Sequence, residues 1–261
     1  MNTSTEHQNK PLAAIILAAG KGSRMNSDLP KVVHQVAGKP MVRWVVDAVR
    51  GAGADRVILV VGHGANIVKE KLSESGCEYV IQEPQLGTGH AVQVCKETLK
   101  DFDGNILILG GDGPLLRSST INEMVSLQQK TNSSATLATS VIPDPTGYGR
   151  ILRDDQNKFS AIIEHKNATE EQLKIHEIYP SYAVFKSDIL WETLDQLKPN
   201  TLTNEYYLTE IPGMLVRSGH NVEIVNSVAP EDILSINTAE QLTEVEEVLL
   251  ARHHKEVEPT A

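Results

Sequence analysis

The sequence has few aromatic residues, few cysteines and no long apolar run, and each shortage excludes a class of protein. Aromatic residues make up 4% of the 261 residues, and the two cysteines, Cys77 and Cys95, do not form a CxxC pair. This excludes a disulfide scaffold or a zinc knuckle and fits a reducing cytosol. The longest apolar stretch, residues 13–20, is far shorter than the ~18 residues of a membrane span. We therefore expect a cytoplasmic protein without a membrane partner.

Positive charge is also scarce. The chain has 24 Lys and Arg against 34 Asp and Glu, a net charge of −10. Nucleic-acid binding requires a basic face, so we expect no nucleic-acid partner. An anionic ligand would have to be bound by a local group of cations.

The two ends of the chain are polar. Residues 1–10 lack the basic start and the apolar stretch of a secretory signal, so we expect a disordered tail there. Residues 251–261 are similarly polar and are predicted to form a second tail.

Between these ends, apolar segments typical of strands alternate with segments typical of helices. The strand expected at residues 12–17 is apolar throughout, and those expected at residues 56–61 and 105–109 are apolar after Arg56 and Asn105, as parallel strands buried on both faces are. Residues 134–141 are expected to form a further strand. Helices are expected at residues 41–52, 67–75, 88–99, 119–129, 188–198, 206–218 and 239–252. Repeated units of this kind indicate an α/β protein with a Rossmann-like, doubly wound and mainly parallel sheet.

The regular alternation of strands and helices stops at about residue 143. Short strands with polar connections are expected after it, at residues 149–152, 159–163 and 181–185. We interpret residues 11–250 as one domain with an antiparallel, substrate-covering lobe at about 143–228. In an open α/β sheet the ligand lies beyond the carboxyl ends of the strands, so the loops after the strands should carry the function.

The loop after the first strand is basic. Lys21, Arg24 and Lys31 lie within eleven residues that contain one acid, Asp28, and two glycines allow close approach of the backbone to an anion. The spacing matches neither a Walker P-loop nor a dinucleotide-binding fingerprint. The loop therefore predicts a phosphate-binding site of another type.

A lone acid, Asp112, follows the strand expected at residues 105–109. A carboxylate at this edge can bind Mg²⁺ together with one protein partner and the phosphates of a substrate. The alternative interpretation is that Asp112 only caps the glycine-rich turn at residues 110–114.

Seven segments in one order resemble the sugar-1-phosphate nucleotidyltransferases, and in particular the uridyltransferase domain of the bacterial bifunctional N-acetylglucosamine-1-phosphate uridyltransferases. They are LAAGKGSRMNSDLPKVVH at 17–34, QEPQLGTGHA at 82–91, GGDGPLL at 110–116, PTGYGRI at 145–151, IIEHKNAT at 162–169, NEYYLTEI at 204–211 and SINTAEQL at 235–242. The resemblance covers nearly the whole predicted domain.

The resemblance implies a role for each matched position. UTP and a sugar 1-phosphate are the implied substrates, Arg24 and Lys31 the catalytic cations at the triphosphate, and Asp112 and Asn237 the ligands of Mg²⁺. Without the resemblance, Asn237 would be interpreted as the N-cap of the following helix. The implied nucleotide-binding residues are Leu17, Ala18, Ala19, Gly20, Gln82, Gly87 and Thr88. The implied sugar-binding residues are Gly149, Glu164, Tyr179 and Thr209.

One segment departs from the family's pattern. Residues 179–181 are Tyr-Pro-Ser where the family has Asn-Thr-Gly, so Tyr179 replaces an asparagine that contacts the sugar. The expected product is UDP-N-acetylglucosamine, a precursor of the cell envelope. The alternatives are uridylyl or thymidylyl transfer to another sugar 1-phosphate, and a catalytically idle regulatory protein that binds a nucleotide sugar.

The bifunctional members of the family continue into a hexapeptide-repeat β-helix that carries an acetyltransferase. This chain ends at Ala261. The resemblance therefore leads us to expect no acetyltransferase activity and no trimer formed through that helix.

Overall fold

The computed structural model describes residues 10–25, 27–201 and 203–257, which form two sheets, a short hairpin and the helices around them. In chain order the strands are β1 (Leu12–Ala18), β2 (Gln35–Val36), β3 (Lys39–Pro40), β4 (Arg56–Val61), β5 (Glu78–Ile81), β6 (Asn105–Gly110), β7 (Ala135–Ala138), β8 (Ser140–Val141), β9 (Gly149–Arg153), β10 (Phe159–Ile163), β11 (Glu177–Tyr179), β12 (Ala183–Lys186) and β13 (Val222–Val225). The helices are α1 (Met41–Gly51), α2 (Ala65–Lys71), α3 (Thr88–Gln93), α4 (Ser118–Thr131), α5 (Glu170–Leu173), α6 (Ser187–Gln196), α7 (Glu210–Arg217) and α8 (Ala239–Val257).

The larger sheet has seven strands in the order β13-β7-β12-β6-β1-β4-β5. All its strands run parallel except β12, which is antiparallel to both of its neighbours. Helices cover both faces, so the prediction of an α/β fold with a doubly wound, mainly parallel sheet is confirmed.

The central strand β1 is apolar throughout because both of its faces are buried. Ala14 and Ile16 pack into the hydrophobic cluster on one face of the sheet, which also contains residues of α1, α4 and α8. Ala13 and Ile15 pack into the cluster on the other face, with residues of α3, α6 and α7. Successive side chains of a strand point to opposite faces, so a strand covered on both faces needs an apolar residue at every position.

The second sheet is antiparallel, with the order β10-β9-β11-β8. The sequence placed a strand at 181–185 in this lobe, but β12 instead lies in the larger sheet between β7 and β6. Its residues Ala183, Val184 and Phe185 are buried, which suits a strand covered on both faces. The strand β13 also joins the larger sheet.

Other boundaries differ from the sequence prediction. The strand expected at 134–141 is divided at Thr139 into β7 in the larger sheet and β8 in the smaller one. The helix expected from residue 88 to residue 99 ends as α3 at Gln93, and α4 begins at Ser118, one residue before its predicted start at Ser119. The strand β11 was not expected.

The helix α8 continues to Val257, past the point where the polar tail was predicted to begin. The predicted N-terminal tail up to residue 9, and residues 258–261, lie outside the described residues. In the part of the chain that the structure describes, no helix combines the length and the apolar character that a membrane crossing demands.

Candidate active site

A cavity of about 410 Å³ opens at the carboxyl ends of β1 and β6, where the fold was expected to bind its ligand. Its walls come from the basic loop, the loop after β6, the smaller sheet and the segment before α8. The predicted site residues that line it are Leu17, Ala18, Gly20, Arg24, Lys31, Thr88, Asp112, Tyr179, Thr209 and Asn237. Tertiary structure thus brings together cations, oxygen ligands and sugar-side residues that are far apart in the chain.

Lys31 lies at the centre of the charged part of the cavity. Its Nζ atom is 2.5 Å from Asp112 Oδ2 and donates to Asn237 Oδ1 at 3.0 Å. Arg24 Nη2 donates to the same Asn237 oxygen at 2.9 Å. The two predicted metal ligands and the two predicted catalytic cations therefore form one hydrogen-bonded group.

The position of Lys31 depends on the basic loop. Lys31 begins a short 3₁₀ helix after Pro30, and Val32 and Val33 anchor that turn in the core. Gly22 has a φ of 66°, and a Cβ atom there would lie 2.5 Å from the Cβ atom of Lys31. A glycine at position 22 thus allows both the left-handed turn and the close packing against the lysine stem.

The interpretation of Asn237 as a helix cap is wrong. The Oγ1 atom of Thr238 accepts from the N–H of Gln241 at 3.3 Å, so Thr238 caps α8. The Gln241 side chain in turn accepts from the N–H of Asn237 at 2.8 Å. The side-chain amide oxygen of Asn237, Oδ1, is therefore not used for capping and faces the cations of the cavity.

Asp112 is similarly directed into the cavity. Its carboxylate is paired with Lys31, and a Cβ atom at Gly110 would lie 2.5 Å from Asp112 Oδ1. The absence of a side chain at Gly110 therefore leaves room for the carboxylate. The backbone of Asp112 also accepts from the N–H of Ile236 at 2.9 Å, which joins the two loops directly.

The donor set fits a hard divalent cation. One carboxylate oxygen and one amide oxygen converge on a single cationic group, the Lys31 ammonium. Within the described residues, no three or more His, Cys, Asp or Glu side chains are grouped to hold a metal. Mg²⁺ commonly takes one or two protein oxygens and completes its shell with water and substrate phosphates, so this sparse set suits it.

Several predicted nucleotide-side residues lie behind the cavity wall. Gln82 is buried, and its Nε2 atom donates to the Gly87 carbonyl at 2.9 Å. Gly87 has a φ of 95°, and a Cβ atom there would lie 2.6 Å from the Tyr206 carbonyl oxygen. The carbonyl of Ala19 accepts from the Gln85 side chain at 2.5 Å. These contacts hold the loops whose neighbouring residues line the cavity.

The predicted sugar-side residues form a second group. Tyr179 is buried and lies opposite Gly149 in the pairing of β11 with β9. Thr209 Oγ1 donates to Glu164 Oε1 at 2.8 Å. Burial, and to a lesser extent the Glu164 charge, raises the pKa of Tyr179, so its hydroxyl stays protonated at neutral pH.

Sequence reasoning missed two further tyrosines that line the cavity, Tyr148 and Tyr182. Burial is the first cause of a raised pKa in each, and the Asp112 charge adds to it. Tyr148 lies inside a matched segment and could have been found from it. Tyr182 follows the departing segment, next to Ser181, whose φ of 70° is the left-handed conformation that a glycine adopts readily.

The fold and the cavity define an α/β protein with cations and oxygen ligands grouped at the carboxyl edge of its sheet. The family model described as "MobA-like NTP transferase domain" matches residues 14–172. The chain therefore belongs to the MobA-like NTP transferase domain family, a family of nucleotidyltransferases.

Individual relatives agree with this family. The chain is 41% identical over 239 residues to "Bifunctional protein GlmU" of Clostridium botulinum (strain Eklund 17B / Type B), covering 92% of this chain and 52% of that protein. The GlmU of Alkaliphilus metalliredigens is 43% identical over 241 residues, covering 92% and 52%. The chain thus spans about half the length of these curated relatives.

A solved structure supports the fold. The structure described as "UDP-glucose pyrophosphorylase complexed with UDP-glucose" superimposes with a TM-score of 0.73 at 18% sequence identity, covering 93% of this chain and 99% of that one. At this identity the similarity establishes the nucleotide-diphospho-sugar transferase fold alone.

Proposed function

We propose that this protein is a pyrophosphorylase that transfers a uridylyl group from UTP to N-acetylglucosamine 1-phosphate, with Mg²⁺ as cofactor. The observation that carries the proposal is the Lys31 ammonium held between Asp112 and Asn237, with Arg24 on the same asparagine oxygen. Two polyanions that repel each other need such a group of cations and metal ligands at one end of a cavity.

The comparisons support the substrate class. The curated relatives carry the name GlmU, and the solved structure of the same fold is a pyrophosphorylase with its UDP-sugar. The family resemblance of the seven sequence segments adds UTP and a sugar 1-phosphate as the specific pair. Seven segments in the family's order are stronger support for this resemblance than a single shared glycine loop would be.

The reaction is a displacement at phosphorus. An oxygen of the sugar phosphate forms a bond to the α-phosphorus of UTP, and the bond from that phosphorus to the oxygen of the β-phosphate breaks. The electron pair leaves with pyrophosphate, and no protein nucleophile is required. When bound, Mg²⁺ neutralises charge on the phosphate oxygens and orients them.

In this proposal the chain's own cations act on the leaving group. The guanidinium of Arg24 can donate to two phosphate oxygens at once because its fork is planar. The ammonium of Lys31 is a point charge that exchanges its carboxylate partner for a phosphate oxygen. Both groups stabilise charge that increases on pyrophosphate as the bond breaks.

The smaller sheet supplies the sugar side. Glu164, which Thr209 already holds at 2.8 Å, can accept from sugar hydroxyls with its remaining lone pairs. Tyr179 also lines the cavity, is 3% exposed, and has a protonated hydroxyl because burial raises its pKa. We assign these residues to the selection of the sugar.

A panel of UTP, dTTP, ATP and GTP with several sugar 1-phosphates, scored by pyrophosphate release with and without Mg²⁺, tests the proposal. We expect the highest turnover with UTP and N-acetylglucosamine 1-phosphate, and only when Mg²⁺ is present. Turnover with another sugar 1-phosphate or with dTTP would replace the proposed substrate. Binding of a UDP-sugar without turnover of any pair would support the idle regulatory protein instead.

The cytoplasmic location stays a prediction.

A further inference from the structure

A buried carboxylate lies outside the cavity, close to both loops that carry the proposed metal ligands. Asp232 is 4% exposed and belongs to a short 3₁₀ helix, Pro230–Ile233, five residues before Asn237. Its Oδ2 atom is 2.8 Å from Arg117 Nε, and its Oδ1 atom accepts from Arg252 Nη2. Each oxygen of one carboxylate therefore takes its own guanidinium group.

The two arginines belong to different parts of the site. Arg117 ends the loop after β6 that contains Asp112, and it immediately precedes α4. Arg252 lies in α8, the helix that begins two residues after Asn237. Arg252 Nη1 also donates to the Leu115 carbonyl, in the Asp112 loop, at 2.9 Å. The cluster thus links the Asp112 loop with the chain segments on both sides of Asn237.

Stability alone is a weak explanation for such a cluster. A buried ion group is costly to desolvate, and apolar residues of similar volume are often as stable or more stable. Hydrogen bonds between guanidinium and carboxylate are directional, however, and fix two segments in one register. Inside the site, one backbone bond from Ile236 N–H to the Asp112 carbonyl joins the same two loops.

We propose that Asp232, with Arg117 and Arg252, is a positioning group that holds Asp112 and Asn237 at the spacing needed to share one divalent cation. The inference rests on the proposed metal-dependent function. None of the three side chains lines the cavity, so they act through Asp112 and Asn237 and do not contact the substrate. Groups hydrogen-bonded directly to metal ligands typically contribute ~10–100-fold to metal affinity or activity, and this cluster, which bonds to the neighbouring segments instead, should contribute at the lower end of that range.

The test compares Asp232→Asn, Arg252→Gln and Arg117→Gln with a matched control, Glu78→Gln. Glu78 accepts two hydrogen bonds from Arg56, at 2.8 Å and 2.6 Å, at the edge of the sheet opposite the cavity. The control therefore breaks an ion pair away from the site, with one arginine and with more exposed side chains than those of the Asp232–Arg252 pair. Arg117 is about half exposed at 48%, so its variant keeps the test valid if Asp232→Asn fails to fold.

Two measurements are needed for each variant. The first is Mn²⁺ binding in the absence of nucleotide, followed by electron paramagnetic resonance of the free ion. The second is the Mg²⁺ concentration that gives half-maximal pyrophosphate release. We expect Asp232→Asn and Arg252→Gln to weaken Mn²⁺ binding and raise the Mg²⁺ requirement ~10-fold, with most of the turnover restored at saturating Mg²⁺. Arg117→Gln should show a smaller shift, and Arg252→Lys should recover part of the loss.

Three outcomes would overturn the inference. The folded variants could bind Mn²⁺ as the unmodified protein does, Glu78→Gln could shift the Mg²⁺ requirement equally, or the unmodified protein could fail to bind Mn²⁺. Failure of the proposed function looks different. In that case the unmodified protein releases no pyrophosphate, while Mn²⁺ binding still separates the cluster variants from the control.

Discussion

The two walls of the cavity differ in the chemistry of their side chains. One wall comes from the ends of the parallel strands β1 and β6 and carries Arg24, Lys31 and Asp112. Lys31 pairs with Asp112, and both Lys31 and Arg24 donate to Asn237. The other wall comes largely from the smaller sheet and the residues after it. It presents three tyrosines and Thr209, whose hydroxyl donates to Glu164.

In the proposed function, this difference separates phosphate chemistry from sugar selection. The charged groups at the sheet edge act on the phosphates of the two substrates. The aromatic and hydroxyl groups lie on the other wall, which also contains the departing segment 179–181. Changes in the charged wall should therefore lower turnover, whereas changes in the other wall should alter sugar preference.

The largest effect is expected for Asp112→Asn. The change keeps the shape of the side chain but removes the negative charge from the proposed metal ligand. Turnover should fall ~10³-fold or more, because a metal contributes several kcal/mol of charge stabilisation. Pyrophosphate release is the measurement, and Asp103→Asn is the control because Asp103 is an exposed acid paired with Lys10. Activity within tenfold of the unmodified protein would remove Asp112 from the mechanism.

Lys31→Met should change two properties in opposite directions. Turnover should fall ~10²-fold, since one cation at the leaving group is lost. Mn²⁺ binding without nucleotide should become tighter, because the ammonium no longer occupies the oxygens of Asp112 and Asn237. Lys21→Met, at an exposed position of the same loop, serves as the control. Weaker Mn²⁺ binding in Lys31→Met would contradict the arrangement described here.

Tyr179→Asn tests the other wall. The ratio of kcat/KM values between two sugar 1-phosphates should change ~10-fold, which is the size of effect that one altered pocket contact produces. The KM for UTP should stay within about twofold of its original value, since the tyrosine lies on the sugar side. Equal changes for both substrates would show that Tyr179 has a structural role.

Thr209→Val should have the smallest effect. It removes the hydrogen bond to Glu164, which is worth about 1 kcal/mol, so the KM for the sugar phosphate should rise ~3–10-fold with kcat unchanged. Thr131→Val, which removes an exposed hydroxyl bonded within α4, is the matched control. A fall in kcat without a change in this KM would assign Thr209 to the charged wall.

Much of the larger sheet could be predicted because each of its central buried strands is a nearly continuous run of apolar residues in the sequence. The strand β4 has the predicted bounds, and β1 and β6 extend one residue further than expected. Each is covered on both faces and is therefore apolar along nearly its whole length, apart from Arg56 at the start of β4 and Asn105 at the start of β6. The same pattern was present at residues 181–185, but the neighbouring short strands led to its assignment to the lobe.

The site was predictable in composition but not in arrangement. Arg24 and Asn237 are 213 positions apart, and nothing in their local sequence indicates that their side chains meet. Asn237 illustrates the limit, because the residues around it suit both a helix cap and a ligand. Only the hydrogen bonds of Thr238 and Gln241 decide between the two.

The sequence by itself determined the class of fold, the basic loop and the acid at the sheet edge, because burial and turn chemistry depend on residues close together in the chain. Tertiary structure alone decided that β12 completes the larger sheet and that Lys31 joins Asp112 to Asn237. It also placed Asp232 against two arginines behind the site. Such contacts depend on how distant segments pack, and no local pattern of residues specifies that packing.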